Sequence, residues 1–78
     1  MKNEILKNIN KILKENFKFK KNVNFNTNLL KIKNWDSLKH LDFIMCLETH
    51  FDIKFKINEN YQIILIKDFV KIVEKKIK

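Results

Sequence analysis

The chain of 78 residues contains no glycine and no proline, and all 17 of its basic residues are lysine. Without glycine it can build neither a Gly-rich phosphate loop nor the glycine elbow that presents a hydrolase nucleophile. Without arginine it lacks the side chain that makes bidentate contacts to bases and phosphates. We therefore expect no nucleic-acid partner, although the formal net charge is +8.

The chain also contains little of the chemistry that catalysis or metal binding requires. It has a single cysteine, Cys46, so no internal disulfide and no thiolate zinc site can form, and we expect Cys46 to fill space in the core. Two histidines are too few for a histidine-based metal site. Ser37 and His40 lie three residues apart on one helix, but no oxyanion loop accompanies them. We predict no catalytic residue, no metal ligand and no enzyme activity.

No apolar run approaches the roughly 18 residues that a membrane span needs, and no secretory signal is visible. A length of 78 residues indicates one domain, residues 1–78. The sequence therefore predicts a soluble, cytoplasmic protein without a membrane span, and we expect it to be a monomer.

Apolar residues recur at helical spacing in three stretches, residues 2–17, 36–51 and 66–77. Between the first two, residues 19–35 lose this period and are rich in asparagine, which predicts a long first loop. Residues 53–57 alternate like a strand without a hairpin partner, and we interpret them as an extended connector. Asn58 and Glu59 begin a short fourth helix that carries Tyr61, Ile63 and Ile64. We predict an all-α fold, a small bundle of three longer helices plus one short helix.

The central helix has two apolar stripes, whereas a core needs only one. Four residues form the stripe that we expect to be buried: Phe43, Ile44, Leu47 and Phe51. Leu38, Leu41 and Met45 form a second stripe, interspersed with acidic residues. Residues 36–52 contain four acidic residues and one lysine, a net charge of −3, which leaves +11 for the rest. An acidic, apolar second stripe on a basic protein predicts a surface for a partner.

The same residues carry a resemblance to a known family. Asp36-Ser37-Leu38, followed by Leu47-Glu48, Phe51 and Ile53-Lys54-Phe55, resembles the central motif of the acyl carrier proteins. The similarity continues through Glu59, the run from Ile63 to Ile66, and Phe69, Val70 and Val73, so that it covers nearly the whole chain. Asn34 and Trp35 stand where many members have glycine, Leu65 replaces a common threonine, and the overall charge is basic where most carriers are acidic.

The resemblance implies a function and a cofactor. Ser37, the only serine, would receive 4′-phosphopantetheine from coenzyme A through a phosphopantetheinyl transferase. The thiol of that arm would then hold an acyl or aminoacyl group as a thioester, loaded by a ligase, synthase or transferase. Such enzymes would dock on a face formed by Asp36, Leu38, Leu41, Asp42, Met45 and Glu48.

The apolar interior offers a shelter for the acyl chain, formed by Phe43, Ile44, Leu47, Phe51 and Ile63, unless these residues only fill the core. Two alternative functions remain open at this point. The chain could be a non-catalytic helical adaptor that keeps the carrier fold without the prosthetic group. It could also be a basic module that binds nucleic acid or a membrane surface.

Overall fold

The computed structural model describes residues 1–56 and 63–77, and these residues contain three α-helices. Helix α1 spans Lys2–Phe17, α2 spans Ser37–Phe51 and α3 spans Ile66–Ile77, and a 3₁₀ helix, Leu29–Lys31, precedes α2. Across the described residues there is no β-strand, only one isolated bridge between Asn28 and Leu65. The all-α class and the three longer helices that the apolar spacing predicts are confirmed.

The core lies where the apolar faces of the three helices meet, with α1 packed against both α2 and α3. Each helix contributes residues at spacings of three and four, which places them on one face. The buried residues are Ile5, Ile9, Ile12 and Leu13 from α1, His40, Phe43, Ile44 and Leu47 from α2, and Ile66, Phe69, Val70 and Val73 from α3.

Helices α1 and α2 end in the same way, although the chain has no glycine for the purpose. Lys18 follows α1 with φ 59°, and Asp52 follows α2 with φ 56°, both in the left-handed region. This conformation turns the next amide back onto the helix, so that Phe19 N donates to Leu13 O and Ile53 N donates to Glu48 O. Left-handed caps that usually need glycine are thus formed by a lysine and an aspartate.

The segment between α1 and α2 is held by asparagine side chains. Asn24 Oδ1 accepts from Asn26 N at 2.9 Å and closes a turn, and Asn28 Oδ1 accepts from Leu30 N at 2.9 Å and caps the 3₁₀ helix. Leu29 N then donates to Ile64 O at 3.0 Å, which ties the segment to the residues before α3. The predicted single long loop is therefore not confirmed, because a helical turn and long-range backbone bonds interrupt it.

Residues 53–56 form no strand, in agreement with the predicted connector, and Ile53 and Phe55 turn their side chains into the core. Ile63 is buried, but neither Ile63 nor Ile64 is helical. The remainder of the predicted short fourth helix, from Asn58 and Glu59 to Tyr61, lies outside the described residues.

Candidate functional site

Ser37 is the first residue of α2, and its side chain is exposed. The preceding residue, Asp36, is the N-cap, and its Oδ1 accepts from Lys39 N at 2.9 Å. The first turn of a helix has backbone N–H groups without partners inside the helix, and the aligned peptide dipoles place partial positive charge there. A phosphate attached at the Ser37 hydroxyl would therefore lie in a favourable field.

The chain is held firmly as it enters α2. The indole N–H of Trp35 donates to Nδ1 of the buried His40 at 3.2 Å. The Trp35 ring also packs against Phe17 and Phe43, with centroid distances of 5.3 and 5.9 Å. On the other side, Lys39 Nζ donates to Asn34 O at 2.8 Å. These contacts fix the backbone on both sides of Ser37, so its position does not depend on a loose loop.

The second stripe of α2 lies in solvent. Leu38 is 77% exposed, Met45 is 55% exposed and Leu41 is 40% exposed, which is high for large apolar side chains. Asp36 and Asp42 are exposed beside them. Helix α2 therefore begins at an exposed hydroxyl and continues as an apolar stripe with acidic neighbours.

Glu48, the sixth residue of the predicted docking face, has a structural role of its own. It is partly buried, and its Oε2 accepts from Phe55 N at 2.9 Å, which holds the connector after α2 against the helix. Helical spacing does not predict this hydrogen bond, because it joins a side chain to a backbone group seven residues away.

The residues predicted to line an acyl shelter lie in or beside the core. Phe43, Ile44 and Leu47 are at most 1% exposed, and Ile63 is 7% exposed. Phe51 is only partly buried and packs against this cluster. Phe43 meets Phe69 of α3 edge to face, with centroids 5.1 Å apart. These side chains fill the space between the helices.

Cys46 is partly buried on the side of α2 that faces α1, where it shares a groove of about 410 Å³ with Ile12, Asp42 and His50. Burial raises the pKa of the Cys46 thiol above its ordinary value of 9.0, and the negative charge of Asp42 raises it further. The thiolate is the nucleophilic form of cysteine. Cys46 is thus a weak nucleophile at neutral pH.

Within residues 1–56 and 63–77, no three histidine, cysteine or acidic side chains come together as a metal site. In the same part of the chain, no helix has the length and apolar content needed to cross a membrane.

A second candidate site was not anticipated from the sequence. Three aromatic residues (Phe17, Phe19 and Trp35) and five lysines (Lys18, Lys20, Lys21, Lys33 and Lys39) line one groove of about 690 Å³. We call it the aromatic–lysine groove. Most of its residues come from two stretches, 17–23 and 32–39, and Thr27 comes from the Asn-rich turn between them. The only signal in the sequence is the alternation of aromatic and lysine residues at 17–21.

Comparisons with known proteins do not place the chain in a family: no protein-family model matches it, and no curated protein does.

Proposed function

We propose that this protein is an acyl or aminoacyl carrier, modified on Ser37 with 4′-phosphopantetheine from coenzyme A. The observation that carries the proposal is the exposed hydroxyl at the start of a capped helix that continues as an exposed apolar and acidic stripe. An isolated exposed serine would be ordinary, and so would an isolated exposed leucine. Their succession on one rigid helix supports a site that another enzyme both modifies and recognises.

The residues around Ser37 suit that chemistry. Asp36 caps the helix and leaves the Ser37 side chain exposed, where a transferase can reach the hydroxyl. The new phosphodiester would be stabilised by the N-terminal end of the α2 dipole. The attached arm supplies a thiol that carries the acyl group as a thioester. The chain itself contributes position and exposure and no catalytic group, so the reactions belong to partner enzymes.

The stripe beside Ser37 gives the proposed docking surface. Its centre is Leu38, Leu41 and Met45, which would become buried against a partner, and Asp42 lies at its side. Charges steer the encounter and raise the association rate, whereas buried apolar side chains slow dissociation. We therefore expect transferases and loading enzymes with a basic, partly apolar surface, acting on a monomeric carrier in the cytoplasm.

The proposal is tested by modification. Wild-type protein, Ser37→Ala and Thr49→Ala would each be incubated with coenzyme A and a broad-specificity phosphopantetheinyl transferase, and the intact mass measured. Thr49 is the matched control because it is a second exposed hydroxyl on the same helix. We expect one phosphopantetheinyl group on the wild type and on Thr49→Ala, and none on Ser37→Ala.

If the wild type stays unmodified while a control carrier is modified, the carrier proposal is wrong, and an adaptor without the prosthetic group becomes the better interpretation.

The docking surface has its own test, the charge reversal Asp42→Lys. Glu4→Lys is the control, because both side chains are exposed acids. We expect Asp42→Lys to lower kcat/KM for the transferase at low salt about tenfold, since like charges across an interface are repulsive. Glu4→Lys should leave kcat/KM near the wild-type value.

A further inference from the structure

The aromatic–lysine groove has the size and the charge of a ligand site. Its volume of about 690 Å³ is within the range of about 300–1,000 Å³ that small-molecule sites occupy. All five of its lysines are exposed, and neither aspartate nor glutamate is among its lining residues. Five like charges around one groove repel one another, and a bound anion would relieve that repulsion.

The groove is also largely preformed. On one side, Asn10 of α1 clamps Val23, because its Oδ1 accepts from Val23 N at 2.7 Å and its Nδ2 donates to Val23 O at 3.2 Å. On the other side, the hydrogen bond to His40 fixes the indole of Trp35. Preformed walls lower the entropy that a ligand loses to order its site.

The lysines would bind the anionic part of a ligand, and the aromatic side chains suit a second part that contains a planar ring. Phe19 meets Trp35 edge to face, with centroids 6.0 Å apart, and both rings are only partly buried. Such rings offer a surface on which another planar ring can stack. Lysine contributes point charges that suit phosphate oxygens without the fixed geometry of arginine.

We propose that the aromatic–lysine groove binds a small phosphorylated ligand with a planar ring, the chemistry of a nucleotide. A small ligand fits better than a polymer because the acid-free basic surface is short. On the exposed side of α1, a neighbouring groove that shares Asn22 contains Glu4 and Glu15 beside its lysines. The site is independent of the Ser37 hydroxyl, so it does not rest on the carrier function.

Trp35 provides the measurement, since it is the only tryptophan in the chain and lines the groove. Fluorescence of the wild-type protein would be titrated with ATP, with inorganic tripolyphosphate and with adenosine. We expect saturable quenching by ATP, and dissociation constants at least about tenfold higher for the two partial ligands, a difference of about 1.4 kcal/mol. Coenzyme A, which has an adenine ring and phosphates too, would be titrated alongside; tighter binding than ATP would identify the pantetheine donor as the source of the ligand.

Charge-matched variants make the test specific. Lys20→Gln/Lys21→Gln removes two charges from the groove, and Lys71→Gln/Lys75→Gln removes two exposed charges from α3. We expect about tenfold weaker ATP binding for the groove pair and an unchanged constant for the α3 pair. Ser37→Ala should bind ATP like the wild type. Failure of the groove proposal can therefore be distinguished from failure of the carrier proposal.

Three results would overturn the inference. Equal affinity for ATP and tripolyphosphate would indicate a general anion surface. Equal effects of the two lysine pairs would show that only net charge matters. A single-stranded oligonucleotide that binds far more tightly than ATP, with both lysine pairs contributing, would indicate an extended nucleic-acid surface.

Discussion

Removal of the Asp36 side chain tests how the start of α2 is held. In Asp36→Ala, the backbone N–H of Lys39 loses its acceptor, Asp36 Oδ1, which lies 2.9 Å away in the wild type. Loss of an N-cap costs about 1 kcal/mol, with a range of about 0.5–2 kcal/mol, and the lost charge near the helix dipole adds about 0.3–1 kcal/mol. We expect a decrease of about 1–2 kcal/mol in the free energy of unfolding. For a domain of this size, each kcal/mol lowers Tm by about 4–8 °C.

Urea unfolding followed by far-ultraviolet circular dichroism would measure the change, with Asp36→Asn and Ser37→Ala alongside. Asparagine caps a helix about as well as aspartate, so Asp36→Asn should lose only the charge contribution. Ser37 is exposed and is not the cap, so Ser37→Ala should change stability by less than about 0.5 kcal/mol. The m-values should agree among the variants, because the surface exposed on unfolding is nearly unchanged.

Two outcomes would refute this account of Asp36. If Asp36→Ala is as stable as the wild type, the hydrogen bond to Lys39 N contributes nothing. If Asp36→Asn is destabilised as much as Asp36→Ala, the charge and not the cap is responsible. The expected order would make Asp36→Asn the variant of choice for partner studies, since it removes a surface charge while keeping the helix start.

Three further predictions concern the core, the α1 clamp and the thiol. Phe69→Ala should leave the chain largely unfolded at 25 °C by circular dichroism, because it costs about 3–5 kcal/mol in a core that supplies about as much; a cooperative transition at wild-type urea concentration would contradict this. Asn10→Ala removes both bonds to Val23 and should cost about 1–3 kcal/mol, with faster hydrogen exchange at the Val23 amide. The raised pKa of Cys46 predicts slower alkylation than that of a cysteine peptide at pH 8, and Asp42→Asn should speed it. Because the unfolded thiol ionises first, near pH 9.0, stability should fall as pH rises through that value and beyond, and Cys46→Ala should abolish this part of the loss.

The helices could be predicted because each one carries its own apolar period. Leu38, Leu41 and Met45 could likewise be assigned to solvent, because a helix can turn only one face to the core. These features depend on residues three or four positions apart. The sequence therefore contains them locally, and no tertiary information is needed.

The remaining features depend on contacts between distant parts of the chain. The interruption of residues 19–35 depends on the backbone hydrogen bond from Leu29 N to Ile64 O, and asparagine content alone predicts only that the segment turns. The aromatic–lysine groove needs Phe17 and Phe19 to meet Trp35, which a spacing in sequence cannot indicate. Local patterns thus predict which faces are apolar, whereas the packing of the helices determines which loops come together.

The left-handed residues at the helix ends have a consequence for engineering. Lys18 and Asp52, which follow α1 and α2, have positive φ, and a residue with a side chain costs about 1–2 kcal/mol in that region, less for aspartate. Glycine would remove the steric cost and add some unfolded-state entropy, for a net gain of a fraction of that amount at Lys18. A chain without glycine therefore keeps a reserve of stability at its helix termini, and that reserve could be used to offset destabilising changes elsewhere, such as new residues on the exposed face of α2.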